Sequence, residues 1–340
     1  MSGSLSSYLI IFFGSLFGCL FLTPMALNLA LKKEIFDIPG GHKSHSSPIP
    51  YLGGVAIVTA FSLVVLCATT FGSLPAGSGQ LNIIVGLALL LAFIGLIDDL
   101  RTISPVIKFL VQIFCALCIC LAGDGVSIFE VEFIDWAITF LWVVGITNSF
   151  NLLDNMDGLA AGLAGIVSFT FFCIAATNDQ FLVASLAVAL SGCAFGFLKK
   201  NSFPAAIYMG DGGSLFLGFL ISYLGLKLRF ESPVSRSFLV PITACAIPIL
   251  DTTVVFFSRL WHRRSPFLGG KDHISHRLVS RGYSILGAVR KIYVFALVVG
   301  FVSFFITEVN ALLAAIIVAT VWIVVTSVAV FAWKTPISYD

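Results

Sequence analysis

Apolar residues run along this chain in long unbroken stretches, separated by short clusters of glycine, proline and charge. A helix needs about 20 apolar residues to cross a bilayer. On that pattern the chain predicts eleven spans, at 5–31, 51–71, 81–97, 106–122, 134–150, 159–177, 181–198, 212–229, 237–258, 287–307 and 309–332. The segment 37–54 is rich in proline and glycine and predicts a defined loop rather than a helix. Partial alternation after Gly123-Asp124-Gly125 predicts a short hairpin at 123–133. Pro241 and Pro248 predict a kink in the ninth span. The Gly14-x-x-x-Gly18 and Gly192-x-x-x-Gly196 spacings predict helix packing. No linker, repeat or low-complexity tract separates out, so residues 1–340 read as one all-α, polytopic, integral membrane domain.

Composition agrees with the pattern. The chain has 340 residues, 59% hydrophobic and 11% charged, and a mean hydropathy of +1.05. A soluble domain carries about 25% charged residues, so the expected partner is the lipid bilayer. A net charge of +2 supports no nucleic acid binding. All eight cysteines fall in apolar runs, which predicts small apolar helix residues rather than a disulfide framework.

Charge then orients the spans. The first ten residues hold no Lys or Arg, which argues against a cleaved signal peptide. An uncleaved first helix with its N-terminus outside places 32–50, 98–105, 151–158, 199–211, 259–286 and the C-terminus in the cytoplasm. Of nineteen Lys and Arg, only Lys227, Arg229 and Arg236 then fall outside, as the positive-inside rule requires.

One stretch demands a chemical reason. Asn148, Asn151, Asp154 and Asp157 recur at three-residue intervals directly after an apolar run. A carboxylate at hydrocarbon depth costs about 2.5–3.5 kcal/mol on insertion scales. Two beside two amides call for a metal, a charged ligand or a water-filled cavity. The orientation puts Asp98-Asp99, Asp211, Asp272, His273 and His276 on the same side, with Asp251 near it. Paired carboxylates at 98–99 suit Mg²⁺ or a proton transfer. Gly210-Asp211-Gly212-Gly213-Ser214 opens a helix, where backbone N–H groups favour an anion. Arg259, Arg263, Arg264, Arg277 and Arg281, with two histidines, predict an anion-binding surface. A cation-coupled transporter is the rival reading; it would carry ionisable groups near mid-bilayer and an inverted repeat.

These motifs together resemble the polyprenyl-phosphate N-acetylhexosamine-1-phosphate transferases. The resemblance spans about Asp37 to Gly282: Asp37-x-Pro39…Lys43-x-His45…Pro48-x-Pro50…Gly53-Gly54, then Asp98-Asp99, Asn148-x-x-Asn151-x-x-Asp154-x-x-Asp157-Gly158, Met209-Gly-Asp211-x-Gly-Ser214 and Asp272-His273-x-x-His276-Arg277-Leu278. It implies transfer of a sugar-1-phosphate from a UDP-N-acetylhexosamine to undecaprenyl phosphate, with UMP released. The setting would be the cytoplasmic face of a bacterial inner membrane; a homodimer is left open. By analogy Asn151 and Asp211 would hold Mg²⁺, or Mn²⁺ in its place. Asp98 and Asp99 would sit by the lipid phosphate. Lys43, Asp157, Asn201 and Tyr208 would serve the nucleotide base, and Lys108, His273 and His276 the pyrophosphate or sugar. Asp154 completes the implied catalytic set; His45, Asn148 and Arg277 complete the substrate-binding one.

Elementary chemistry fits that implication. A phosphate attacking a pyrophosphate brings two anions together, and a bridging cation lowers their repulsion. A base is optional, because a phosphate monoester with a second pKa of about 6 is already mostly dianionic. Asp98 and Asp99 therefore read as positioning groups before proton acceptors. The chain departs from the family at Asn155 (usually Gly), Ser275 (often His) and His42 (usually Arg). Asn155 is expected to keep a left-handed turn. The Asp-His-x-x-His-Arg-Leu version resembles the N-acetylglucosamine-1-phosphate branch, whose product starts O-antigen, enterobacterial-type or teichoic acid polymers.

Overall fold

The computed structural model describes residues 4–37, 48–71, 79–129, 131–230, 234–265 and 270–335. Lys43 and His45, expected at the substrate, and His42 lie outside these residues. The described chain is helical: α1 (Leu5–Lys32), α2 (Gly53–Thr70), α3 (Gly79–Leu100), α4 (Pro105–Leu121), α5 (Glu132–Leu153), α6 (Leu159–Thr177), α7 (Phe181–Asn201), α8 (Gly210–Lys227), α9 (Val234–Ala244), α10 (Ala246–Trp261), α11 (Ile274–Ser280), α12 (Ile285–Glu308) and α13 (Ala311–Trp333). Among the described residues the strands are a pair of two residues each, β1 (Phe36–Asp37) and β2 (Ile49–Pro50), antiparallel across the 37–54 loop.

Among the described residues eight helices are long and apolar enough to cross a membrane, or up to nine if the bent α9–α10 pair is one span. Their lipid-facing sides stay apolar, as Leu141 (75% exposed) and Phe21 (70%) illustrate. The molecule is a multi-pass membrane protein. Every predicted run is helical, and the ninth is two helices. Pro248 has no N–H to give, and its ring clashes with the carbonyl four residues back, at Ala244. The break falls there, and α10 leaves the α9 axis by 70°.

The core is built on α6, α7 and α8. Small residues line α6 (Ala160, Ala161, Ala164) and α7 (Ala184, Ala187, Ala194), all buried, so backbones approach closely. The Gly192–Gly196 pair does pack a helix: a Cβ at either would fall 2.6 or 2.5 Å from a carbonyl oxygen of α1.

The hairpin expected at 123–133 is not formed by the residues described there. Their backbone donors are taken by side chains of α5. Asp135 accepts from the N–H of Ile128 and Phe129, both at 3.1 Å, and Thr139 accepts from Val126 at 2.9 Å. Occupied donors cannot enter a ladder.

Candidate functional site

The site gathers at the ends of four helices. Ser104 caps α4, accepting from the Val106 N–H at 3.3 Å, and Pro105 stands at the first helical position, where its fixed φ suits a start. That start puts Lys108 one turn in, facing the end of α3. Its ammonium donates to Asp98 at 2.7 Å and to Asp211 at 2.6 Å. Asp98 also accepts from the Ile103 N–H at 2.7 Å. One lysine thus joins carboxylates from α3 and α8.

Asp99 is used differently. Its two oxygens accept from the N–H groups of Asp211 (2.8 Å) and Gly212 (3.1 Å). It caps α8 from another helix, with negative charge at the positive end of the dipole. Glycine makes the approach possible. Gly210 has φ +70°, and a Cβ there would meet Asp99 Oδ2 at 2.4 Å; a Cβ at Gly95 would meet the Asp211 carbonyl at 2.5 Å. The Tyr51 hydroxyl donates to the Asp99 carbonyl.

Asn151, in the last turn of α5, donates from Nδ2 to Asp211 Oδ1 and to Ser214 Oγ, both at 2.9 Å. Asn148, one turn earlier, instead pairs its amide with Gln112 of α4 and donates to the Val144 carbonyl at 2.8 Å. Gln112 was not singled out from sequence, though a lone amide in an apolar run was the available signal. Asp154 follows at the end of α5, partly exposed but ringed by protein. Its carboxyl is pushed up to about 8, first by burial, then by repulsion from Asp211, Asp99 and Asp157.

The donor set suits a hard divalent cation. Asn151, Asp211 and Ser214 offer oxygen, and acidic groups outnumber the single lysine among them. Among the described residues no three His, Cys, Asp or Glu side chains form a metal cage. A few protein oxygens completed by water and substrate phosphates is the coordination Mg²⁺ favours.

A second cluster faces the loop 202–209. Asp157 accepts from the Ala205 N–H at 2.8 Å and hydrogen-bonds the Tyr208 hydroxyl; burial first and Asp157 next raise that phenol. Asn201 is buried and donates to the Ile207 carbonyl at 3.0 Å, while its Oδ1 has no partner among the described residues. Asp157 and Tyr208 thus meet, and Asn201 holds the same loop at Ile207, so the bonds of all three shape the loop. In the turn before α6 the left-handed residue is Gly158, φ +79°; Asn155 is not left-handed, contrary to the expectation for it. Asn155 instead bonds Ser275 at 2.8 Å, bringing α11 onto the site.

Helix α11 carries the histidines. His273 is buried, its Nδ1 2.6 Å from Asp251 Oδ2, and Asp251 also accepts from the Ile274 N–H at 2.7 Å. His276 hydrogen-bonds the Asn155 backbone; its pKa is pushed down to about 4, first by burial, then by His273. The broad arginine surface is narrower than expected. Arg259 forms a buried two-pronged pair with Asp272, at 2.8 Å each. Burial works against the Asp272 carboxylate, but Arg259 holds it below the usual range. Arg277, expected at the substrate, is buried with its guanidinium on the carbonyls of Asp272 (2.7 Å) and Ala332 (2.8 Å). These two arginines tie the loop to α10 and α13.

Comparison with known proteins identifies the family of the chain. Residues 81–229, from α3 through α8, match the profile of glycosyl transferase family 4. The chain is 35% identical over 291 residues to a probable undecaprenyl-phosphate N-acetylglucosaminyl 1-phosphate transferase of Bacillus subtilis (strain 168), covering 83% of this chain and 80% of the relative. It is 29% identical over 318 residues to a decaprenyl-phosphate N-acetylglucosaminephosphotransferase of Mycolicibacterium smegmatis, covering 83% and 77%. It is 26% identical over 288 residues to the undecaprenyl-phosphate alpha-N-acetylglucosaminyl 1-phosphate transferase of Escherichia coli O157:H7, covering 79% and 75%.

Proposed function

Because the chain belongs to the polyprenyl-phosphate N-acetylhexosamine-1-phosphate transferases, within glycosyl transferase family 4, and is a phosphoglycosyl transferase, we propose that it moves N-acetylglucosamine-1-phosphate from UDP-N-acetylglucosamine to undecaprenyl phosphate. An oxygen of the lipid phosphate attacks the sugar-bearing phosphorus. The bond from that phosphorus to the bridging oxygen breaks, and UMP leaves with the electron pair. The product is a lipid diphosphate sugar, a starter for cell-envelope polysaccharide. The cation-coupled transporter reading has no support among the relatives.

The observation that carries this reading is the meeting, at 2.9 Å, of Asn151 and Asp211, 60 residues apart in the chain. Their oxygens would hold Mg²⁺. When bound, Mg²⁺ offsets the charge on the diphosphate and on departing UMP. Lys108 adds positive charge where the two phosphates meet, and Asp98 orients that lysine. Asp98 is already engaged by Lys108 and Ile103, which favours positioning over proton transfer. Asp99 sets the angle at which α8 presents Asp211. Asp157, Tyr208 and Asn201 form the nucleotide side, and His276 approaches from α11 as a neutral donor or acceptor to the diphosphate or sugar.

We read eleven spans, N-terminus outside and C-terminus inside, with the site opening to the cytoplasm of a bacterial inner membrane. The Lys and Arg distribution supports this orientation. The test is UMP release by the purified chain with undecaprenyl phosphate and a panel of UDP-sugars, with Mg²⁺ and with EDTA. UDP-N-acetylglucosamine should be used best and EDTA should stop turnover. Preference for another UDP-N-acetylhexosamine would overturn the sugar assignment, and turnover in EDTA the metal.

A further inference from the structure

Helices α10 to α13 line a half-open cavity of ≈ 250 Å³. Its walls are apolar, including Leu250, Ile274, Phe295, Val328 and Phe331, and neither Asp98, Lys108, Asn151 nor Asp211 lines it. Three cations line it: Arg277 is buried, with its guanidinium held by the carbonyls of Asp272 and Ala332, whereas Arg281 and Lys291 are exposed. Among the described residues neither of these two has a carboxylate partner. Arg281 donates to Thr335 Oγ1 at 2.8 Å and lies 3.6 Å from the Phe331 ring centroid. The Lys291 ammonium lies 4.8 Å from the Tyr283 ring centroid. Nearby, Trp261 and Trp333 meet edge to face at 6.4 Å, with Trp261 76% exposed. Tryptophans at helix ends mark the head-group level of a bilayer.

An apolar chamber, two cations without counter-charge and a head-group marker describe an amphiphile with an anionic head. We propose that this cavity binds an anionic phospholipid of the surrounding bilayer. One acyl chain lies along the apolar walls, and the phosphate sits on Arg281 and Lys291. The lipid acceptor of the reaction is a poorer occupant, because its phosphate must reach the acidic cluster, which does not border this space. Ile274 and Leu278 in the wall belong to α11, whose Ser275 and His276 contact Asn155. A bound lipid therefore braces the helix that closes one side of the site.

The test uses the full chain in nanodiscs of phosphatidylcholine with or without phosphatidylglycerol. Native mass spectrometry reads the lipid retained, and thermal unfolding reads the bracing. Wild type should retain phosphatidylglycerol and melt higher with it. Retention should weaken on the order of fivefold for each cation removed in Lys291→Gln and in Arg281→Gln/Lys291→Gln. Val328→Phe, which fills the cavity and keeps both charges, should also lose the lipid. Equal retention by wild type and these variants overturns the proposal. So does displacement of phosphatidylglycerol by undecaprenyl phosphate, which would make the cavity an acceptor site.

Discussion

The hydroxyl of Ser275 donates to Oδ1 of Asn155 across 2.8 Å, and this bond joins helix α11 to the turn that follows the Asn151–Asp154 stretch. The Asn155 backbone also reaches His276. Ser275→Ala and Asn155→Ala should each slow UMP release severalfold. Combined, they should be less than additive, with a coupling of about 1 kcal/mol, since either change removes the same bond. A double-mutant cycle on kcat/KM reads this directly, and zero coupling would deny the link a role in turnover.

Lys108 is the one cation shared by Asp98 and Asp211. Replacing it with methionine leaves two carboxylates facing each other where the proposed reaction brings two phosphates together. Turnover should fall by about 10²–10³, the scale of losing one preorganised electrostatic donor. Lys108→Arg should recover part of it. Size-exclusion behaviour and helix content should match wild type, which separates this from misfolding.

His276 sets an acid limit on stability. Its folded pKa is near 4, against an unfolded value of 6.5, so the unfolded chain binds the proton more tightly. Its contribution is complete above pH 6.5 and is lost as pH falls toward 4. Thermal unfolding of wild type should therefore drop across that window, and His276→Gln should drop less.

Asp154 works in the opposite sense. Its carboxyl holds a proton up to about pH 8 while the cluster lacks a cation. A divalent cation bound beside it should expel that proton, so Mg²⁺ affinity should rise from pH 6 to pH 8. Titration in buffers of different ionisation enthalpy measures the proton released. Asp154→Asn should release less and flatten the pH dependence.

Asp99 is expected to act through α8 rather than on substrate. Asp99→Ala removes the external cap and should lower stability by about 1–2 kcal/mol, read by denaturant or thermal unfolding. Turnover lost with full stability retained would return Asp99 to the reacting groups.

How much of this was legible in the sequence varies with the kind of signal. Apolar run length found the helices, because hydrocarbon thickness imposes it. It did not resolve α9 from α10, since hydropathy carries no direction, and only the prolines hinted at a bend. Period-two alternation misled at 126–129, where Asp135 and Thr139 take the backbone donors from another helix. At the site, the ordered motifs contain Asn151 and Asp211, and the resemblance implied Lys108; the fold brings these three side chains together. Motif order could not tell which polar groups face the cavity and which hold the scaffold. Asp99 turned to a helix end, Asn148 to Gln112, and Arg277 to backbone carbonyls. Those choices depend on neighbours far along the chain, and a single sequence does not name them.

The 70° turn between α9 and α10 changes where the chain can go next. At 1.5 Å per residue, the 16 residues of α10 travel roughly 20 Å sideways from the α9 axis. From that end of α10 the chain goes on to α11, whose Ser275 meets Asn155 at 2.8 Å. A straight rod of equal length would carry Asp251 elsewhere, and with it the anchor of His273, whose Nδ1 lies 2.6 Å from that carboxylate.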